Sequence, residues 1–148
     1  MRLLVHELVT ELYQEITVDH IPRVVGAIRP HLLVFNRPGL TGALRLEIRD
    51  TRNRVVAVSE TLNLSDLSVL AYAHKYYRFY IDAHLRAGAT YRVALVPGGG
   101  YSFSEAAYVA WCNGWEHRRL NSSYSFGELD APLDMEIWER REIRRGVA

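Results

Sequence analysis

Residues 90–112 constrain the fold of this chain more than any other stretch, because they hold two strand patterns joined by a glycine-rich turn. In residues 91–96 every second side chain is large and apolar, which is the period of two that a β-strand gives its side chains. The side chains predicted to face inward are Tyr91, Val93, Leu95, Val109 and Trp111. This pair of strands indicates an all-β fold.

Similar patterns recur at short intervals along the chain, without long helical patterns between them. Residues 43–50 alternate most regularly, and the turn and returning strand that follow, up to Val58, predict a β-hairpin. One helical turn is predicted at 64–70, with Ser65 as its N-cap. Further strands are predicted at residues 31–35, 76–82 and 132–138. This spacing predicts an all-β antiparallel β-sandwich of the jelly-roll type.

A chain of 148 residues has the size of one domain, and we expect a single sandwich domain over residues 1–148. Its core is predicted at about 19–138, with terminal arms at 1–18 and 139–148 that reach neighbouring molecules. The first segment is ambiguous: its leucines have helical spacing, whereas its valine, threonine and tyrosine content is typical of a strand. We predict a strand or an arm up to Val18.

The charge balance argues against nucleic acid as a partner. The formal net charge is +1 and the sequence pI is about 7.9, whereas nucleic-acid-binding domains are usually strongly basic. Lys75 is the one lysine, so arginine supplies almost all of the positive charge. Arginine pairs with carboxylates in a geometry that suits protein interfaces, and GC-rich coding explains the same bias equally well.

The hydropathy pattern argues against a membrane partner. No apolar run approaches the ~20 residues that span a bilayer. The amino-terminal segment is interrupted by His6, Glu7 and Glu11, and it lacks the apolar core and cleavage site of a signal peptide. We therefore expect the chain to fold in a cytoplasm.

Motifs for catalysis or cofactor binding are incomplete in this sequence. The glycines at 98–100 are not followed by the lysine and serine or threonine of a phosphate-binding loop. The histidines form no H-x-x-x-H or H-x-H pair, and no serine lies in a G-x-S-x-G elbow. Cys112 is the one cysteine, and its apolar neighbours predict a buried side chain. We predict a non-enzymatic protein without a cofactor.

Acidic side chains near the last predicted strand leave one metal hypothesis open. Asp130, Asp134 and Glu136 lie close together in the sequence, and Ca²⁺ would require such oxygens to converge from several segments. Asp134 and Glu136 share one face of the predicted strand, which a solvated sheet face explains equally well.

Several segments together resemble jelly-roll β-sandwiches of the carbohydrate-binding-module type. A strand of the form G-x-L-x-x-E-I-R lies at residues 42–49, and an aromatic strand lies at 77–80. The motif L-x-A-G-x-T-Y follows at 85–91, and an aromatic-rich strand ends in Trp111. Modules of this appearance recur among structural proteins of tailed bacteriophages, in tails, necks and head decorations. The resemblance covers residues 42–138 and implies a place in a virion that is assembled in the host cytoplasm.

The aromatic side chains supply the candidate contacts. Tyr77, Phe79, Tyr91 and Trp111 are predicted to lie in the core, whereas aromatics on outward faces or loops would meet a partner protein or stack on sugar rings. Packing within the fold explains the same positions. The candidate contact residues are Tyr76, Tyr80, Tyr101, Phe103, Tyr108, Trp115, Tyr124 and Trp138.

Two functions are consistent with these patterns. The first is a non-enzymatic structural component of a bacteriophage virion, with other virion proteins and copies of itself as partners. It would act through aromatic anchors, arginine–carboxylate pairs and strand addition at a sheet edge. The alternative is a carbohydrate-binding module that recognises glycans on the host surface. An enzyme would need a convergent acid, base and nucleophile, which the sequence does not indicate.

Overall fold

The computed structural model of this protein describes residues 5–67, 72–114, 123–127 and 132–140. Twelve strands and two short 3₁₀ helices, Arg37–Gly39 and Leu64–Asp66, lie in these ranges. The strands are β1 Val5–Glu7, β2 Leu12–Val18, β3 Arg23–Phe35, β4 Ala43–Arg49, β5 Val55–Val58, β6 Leu62–Asn63, β7 Tyr72–Tyr76, β8 Phe79–Leu85, β9 Thr90–Gly98, β10 Tyr108–Cys112, β11 Tyr124–Phe126 and β12 Met135–Glu139.

The first sheet is built around the long strand β3. Strands β7 and β10 pair with its second half, and strands β8 and β12 pair with its first half. Pro30 lies where these partners change, and its carbonyl accepts a hydrogen bond from the NH of Tyr77 at 3.1 Å. The sequence predicts a strand only at 31–35, but β3 also includes Pro30 and the residues before it, because the missing NH of the proline falls at the junction between partner strands.

The second sheet has the strand order β11-β2-β9-β4-β5, and β6 also pairs with β4. All pairs in both sheets are antiparallel, and one sheet curls like a half-barrel. These sheets confirm the all-β antiparallel sandwich. The predicted core aromatics Tyr77, Phe79, Tyr91 and Trp111 are all buried between the sheets.

Residues 12–18 form a strand within the sandwich, which is one of the two predicted alternatives, and not an outlying arm. Strand β2 lies between β9 and β11 and buries Ile16 and Val18. The pattern is obscured by Gln14, a buried polar residue in an inward position. Its Oε1 accepts a hydrogen bond from the NH of Leu133 at 2.8 Å, which compensates for its burial. At the other end, Glu139 still belongs to β12, and residues 141–148 lie outside the described ranges.

Two local predictions differ from the structure. The strand predicted at 76–82 is divided, since β7 ends at Tyr76 and β8 begins at Phe79. The helical turn begins at Leu64 with Asn63 as its cap residue, and no side chain caps it. Ser65 therefore lies inside the turn, two residues beyond the N-cap position.

Candidate functional site

The turn between β4 and β5 is organised by one carboxylate. Oδ1 of Asp50 accepts hydrogen bonds from the NH groups of Arg52 and Arg54, both at 2.9 Å, and Oδ2 accepts one from Nε of Arg54 at 2.9 Å. The hydrogen bond from the Arg54 NH is the main cause that lowers the pKa of Asp50. Asn53 has a φ of 63°, the left-handed conformation that asparagine tolerates. The turn is thus preorganised and presents Arg52 to solvent.

The turn between β8 and β9 is held just as closely, and it contains the L-x-A-G-x-T-Y motif. Leu85 and Tyr91 are buried at its two ends, and the hydroxyl of Tyr91 accepts a hydrogen bond from the NH of Arg86 at 3.0 Å. Gly88 has a φ of 71°, which glycine adopts without strain. The motif is therefore a structural device that closes the turn and leaves the Arg86 side chain exposed.

These two turns enclose a cleft of about 560 Å³, here called the arginine cleft. Its lining residues are Asp50, Thr51, Arg52, Arg54, Val56, His84, Arg86, Ala89, Thr90 and Tyr91. Three arginines face one carboxylate, which Arg54 already occupies. Among the described residues, neither Arg52 nor Arg86 has an ion-pair partner. The cleft therefore has an excess of positive charge and two free guanidinium groups.

An exposed apolar edge adjoins the arginine cleft. Strand β5 pairs with β4 and ends the order of the second sheet. The side chains of Val55, Val56 and Val58 are 50%, 48% and 52% exposed, and Val56 also lines the cleft. Beyond the strand, the NH of Glu60 donates to the carbonyl of Tyr80 in the first sheet at 3.0 Å. Edge strands with exposed apolar side chains are sites where a further strand can add.

The outer face of β4 carries a row of ion pairs. Glu47 accepts hydrogen bonds from Arg45 and Arg49, and Arg49 also donates to both carboxylate oxygens of Glu11, at 2.8 and 3.1 Å. Burial raises the pKa of Glu47, but the hydrogen bonds from Arg49 and Arg45 outweigh it, so that the pKa is lowered overall. These arginines are occupied within the chain, which distinguishes them from the arginines of the cleft.

Polar side chains from β3, from β7 and from Asp134, the residue before β12, form a network that the sequence did not predict. Nε2 of His31 and Nδ1 of His74 lie 3.0 Å apart, and Nδ1 of His31 lies 3.3 Å from Oδ2 of Asp134. The Tyr76 hydroxyl donates to the same carboxylate oxygen, and its ring stacks on His31 with centroids 4.8 Å apart. The histidines are far apart in sequence, so short motifs could not reveal the pair. His31 lies on β3, opposite Tyr76 of β7. Its contacts with His74 and Tyr76 therefore link these two strands.

The calcium hypothesis receives no support from the described acidic groups. The Asp134 side chain is 2% exposed and holds His31 and Tyr76, and Glu136 pairs with Arg29 at 3.2 Å. Asp134 therefore lies on a covered face, where the sequence pattern suggested a solvated one. Asp130 lies outside the described ranges. Within those ranges, no group of three or more histidine, cysteine or acidic side chains could hold a metal ion.

Several predicted contact residues are partly or largely exposed, and two of them, Tyr80 and Trp138, lie opposite the same residue of β3, Ala27. Tyr80 is 39% exposed, and the guanidinium of Arg78 lies 4.7 Å from its ring centroid. Phe103 packs against Tyr108, whose ring also contacts Phe35. Trp138 is covered in part by Arg29, 5.4 Å from its ring centroid. Tyr76 belongs to the histidine network described above.

Tyr101 and Tyr124, two other predicted contact residues, stabilise the fold. The Tyr101 hydroxyl donates to the carbonyl of Leu8 at 2.8 Å and accepts from the NH of Val109 at 3.1 Å, so it links three segments of the chain. The Tyr124 side chain is buried and belongs to the core, which removes its ring from contact with a ligand. Trp115 lies outside the described ranges. The strongest site signal, the free arginines of the cleft, was not predicted.

Comparison with known proteins gives no family for this chain. No protein-family model matches its sequence, and no curated protein matches it either. In the described ranges, no helix has the length and apolar character that crossing a bilayer requires. The function of the chain is therefore inferred from its own residues.

Proposed function

We propose that this chain is a non-enzymatic structural component of a tailed-bacteriophage virion, located in the tail, the neck or the capsid decoration. It acts through protein–protein contacts with copies of itself and with other virion proteins. The observation that carries the contact role is the β5 edge, where three valines are about half exposed at the end of the second sheet. The assignment to a virion rests on the resemblance of residues 42–138 to sandwich modules of such particles.

The β5 edge supports assembly for a physical reason. An unpaired strand edge offers backbone NH and C=O groups to a further strand, and soluble proteins usually protect such edges with charge or proline. Here the side chains of Val55, Val56 and Val58 are about half exposed, so a partner that covers them gains apolar burial.

The contact role is tested by changing the edge alone. The variant Val56→Lys/Val58→Lys places two charges on β5 and should shift the chain toward monomer in light scattering coupled to size-exclusion chromatography. Val9→Lys is the matched control, because Val9 is also exposed, at 58%, but lies outside β5. Equal oligomeric states for the wild type and both variants would contradict assembly through this edge.

The virion assignment is tested separately by mass spectrometry of purified phage particles. A structural component should be present at a fixed ratio to the major capsid or tail protein after density-gradient purification. Its absence from particles, with abundant protein in the lysate, would contradict the assignment and leave the contact role of β5 to be judged by its own test.

Carbohydrate binding is the second candidate, and one observation favours it. Tyr80 offers a partly exposed ring beside Arg78, as a sugar-stacking platform does. The candidate has weaker support, because the other described candidate aromatics are buried or packed against neighbouring rings and arginines. A glycan array with wild type and Tyr80→Ala tests it: binding that Tyr80→Ala abolishes would favour this function over the structural one.

A further inference from the structure

In the arginine cleft, a ligand-sized cavity coincides with unpaired positive charge. The free guanidinium groups of Arg52 and Arg86 come from two different turns. The hydrogen-bonded carboxylate of Asp50 fixes the turn of Arg52, and the buried Tyr91 fixes the turn of Arg86. A preorganised site loses less conformational entropy when it binds. Guanidinium groups match carboxylates in a two-pronged geometry.

Apolar surface continues from the cleft along the sheet edge. Val56 contributes to the lining of the cleft and also to the exposed β5 edge. A ligand in the cleft that extends along β5 would therefore meet arginines first and valines next. That order of surfaces fits a polypeptide that carries carboxylates beside apolar side chains.

A carbohydrate fits this cleft less well. Sugars in protein sites usually stack on an exposed aromatic ring, and the aromatic residue in the lining, Tyr91, is 6% exposed with its hydroxyl occupied by the Arg86 NH. The cleft offers charge and aliphatic surface instead.

We infer that the arginine cleft binds the carboxylates of an acidic peptide segment of a partner protein, whose apolar side chains cover the exposed valines of β5. This inference rests on the proposed contact function and names the chemistry of the partner. Arg52 and Arg86 bind the carboxylates of the peptide. Val56 and Val58 contact the apolar side chains of the peptide, which alternate with its acidic residues.

The experiment uses the full chain and a labelled peptide in which glutamate and valine alternate. Fluorescence anisotropy should show saturable binding that weakens as salt screens the charges. The same peptide with glutamine in place of glutamate should bind about tenfold more weakly or worse, as the loss of charge-assisted contacts predicts. The Arg52→Gln/Arg86→Gln variant should lose binding to a similar extent, and Arg78→Gln, an exposed arginine outside the cleft, should bind like wild type.

The outcomes separate this inference from the proposed function. Equal binding of the glutamate and glutamine peptides, or unchanged binding by Arg52→Gln/Arg86→Gln, overturns it, even if Val56→Lys/Val58→Lys still disrupts assembly. Tighter binding of a uronic-acid oligosaccharide of the same charge also overturns the assignment to a peptide. Both arginine side chains are exposed and form no hydrogen bonds among the described residues, so circular dichroism should show folded variants.

Discussion

The hydroxyl of Tyr91 holds the backbone NH of Arg86 at 3.0 Å and closes the turn between β8 and β9. The Tyr91 ring lies in the core while its hydroxyl reaches the surface turn, so the tyrosine connects core packing to the geometry of the arginine cleft. This contact gives a structural reason for the L-x-A-G-x-T-Y motif.

The Tyr91→Phe variant tests that contact. Removing the hydroxyl keeps the ring in the core but deletes one hydrogen bond, so we expect a loss of about 1 kcal/mol in the free energy of unfolding. Tyr13→Phe is the control, because Tyr13 is 49% exposed, and it should change stability by less than about 0.5 kcal/mol. Urea titrations of both variants measure the difference, and equal midpoints would contradict the role given to the Tyr91 hydroxyl.

Two glycines with positive φ allow the cost of backbone strain alone to be compared with the cost of strain plus a steric clash. At Gly42, with a φ of 96°, an added Cβ would lie too close to the backbone of Tyr101 and Gly98. At Gly88, with a φ of 71°, nothing lies within 4 Å of such a Cβ. Gly88→Ala should therefore lower the free energy of unfolding only by the cost of backbone strain, about 1–2 kcal/mol.

Gly42→Ala should cost clearly more, about 3 kcal/mol or above, since two backbone segments must move apart. Thermal unfolding followed by circular dichroism compares the two variants directly. A smaller loss for Gly42→Ala than for Gly88→Ala would show that the segment around Tyr101 approaches Gly42 less closely than described.

The ion pairs on β4 predict a loss of stability in acid. The pKa of Glu47 is lowered in the folded chain, where hydrogen bonds from Arg49 and Arg45 outweigh the effect of burial, and hydrogen bonding to Arg49 lowers the pKa of Glu11. A carboxyl group whose pKa is lower in the folded state contributes its full stabilisation above the unfolded-state pKa of about 4.3. This contribution to the free energy of unfolding is lost as the pH falls below that value.

The Glu47→Gln variant isolates this effect. Its free energy of unfolding should fall less steeply than that of wild type as the pH is lowered from about 5 to 3, because the glutamine does not titrate. Urea titrations across this range provide the measurement. Parallel pH profiles for both proteins would refute the contribution of Glu47.

Cys112 should be unreactive in the folded chain. The side chain is buried, and burial together with the negative charge of Asp134 raises the thiol pKa to about 12. A thiol-specific reagent at about pH 8 should therefore label the native protein very slowly and the denatured protein completely, since the thiolate is the reactive form. Rapid labelling of native protein would contradict the burial of this strand.

Prediction from sequence succeeded where one strand face is buried. In β4 the predicted inward residues Leu44, Leu46 and Ile48 are buried in the core, whereas the alternate residues Glu47 and Arg49 are also covered but form an ion pair with each other. In β2 the pattern left a strand and an arm open, because Gln14 is a polar residue whose burial is compensated by a hydrogen bond from a distant segment. Nothing local distinguishes a glutamine that will find such a partner from one that faces water.

The candidate site was less predictable than the fold. Tyr101 and Tyr124 share the residue type of good contact residues, yet one bridges backbone segments and the other lies in the core. Local spacing does not encode which aromatic rings the second sheet covers. The free arginines Arg52 and Arg86 resemble the paired arginines Arg45 and Arg49 in sequence, and only their neighbours separate them.

By itself, the sequence determined that this chain forms a β-sandwich and which strand faces point inward, because burying one face of a strand selects apolar side chains at every second position. Only the tertiary structure decided that the turns at 50–54 and 86–89 converge on one cleft, and that His31 meets His74. The reason is physical: which strands become neighbours depends on the packing of both whole sheets, and that choice leaves no mark within a single short segment.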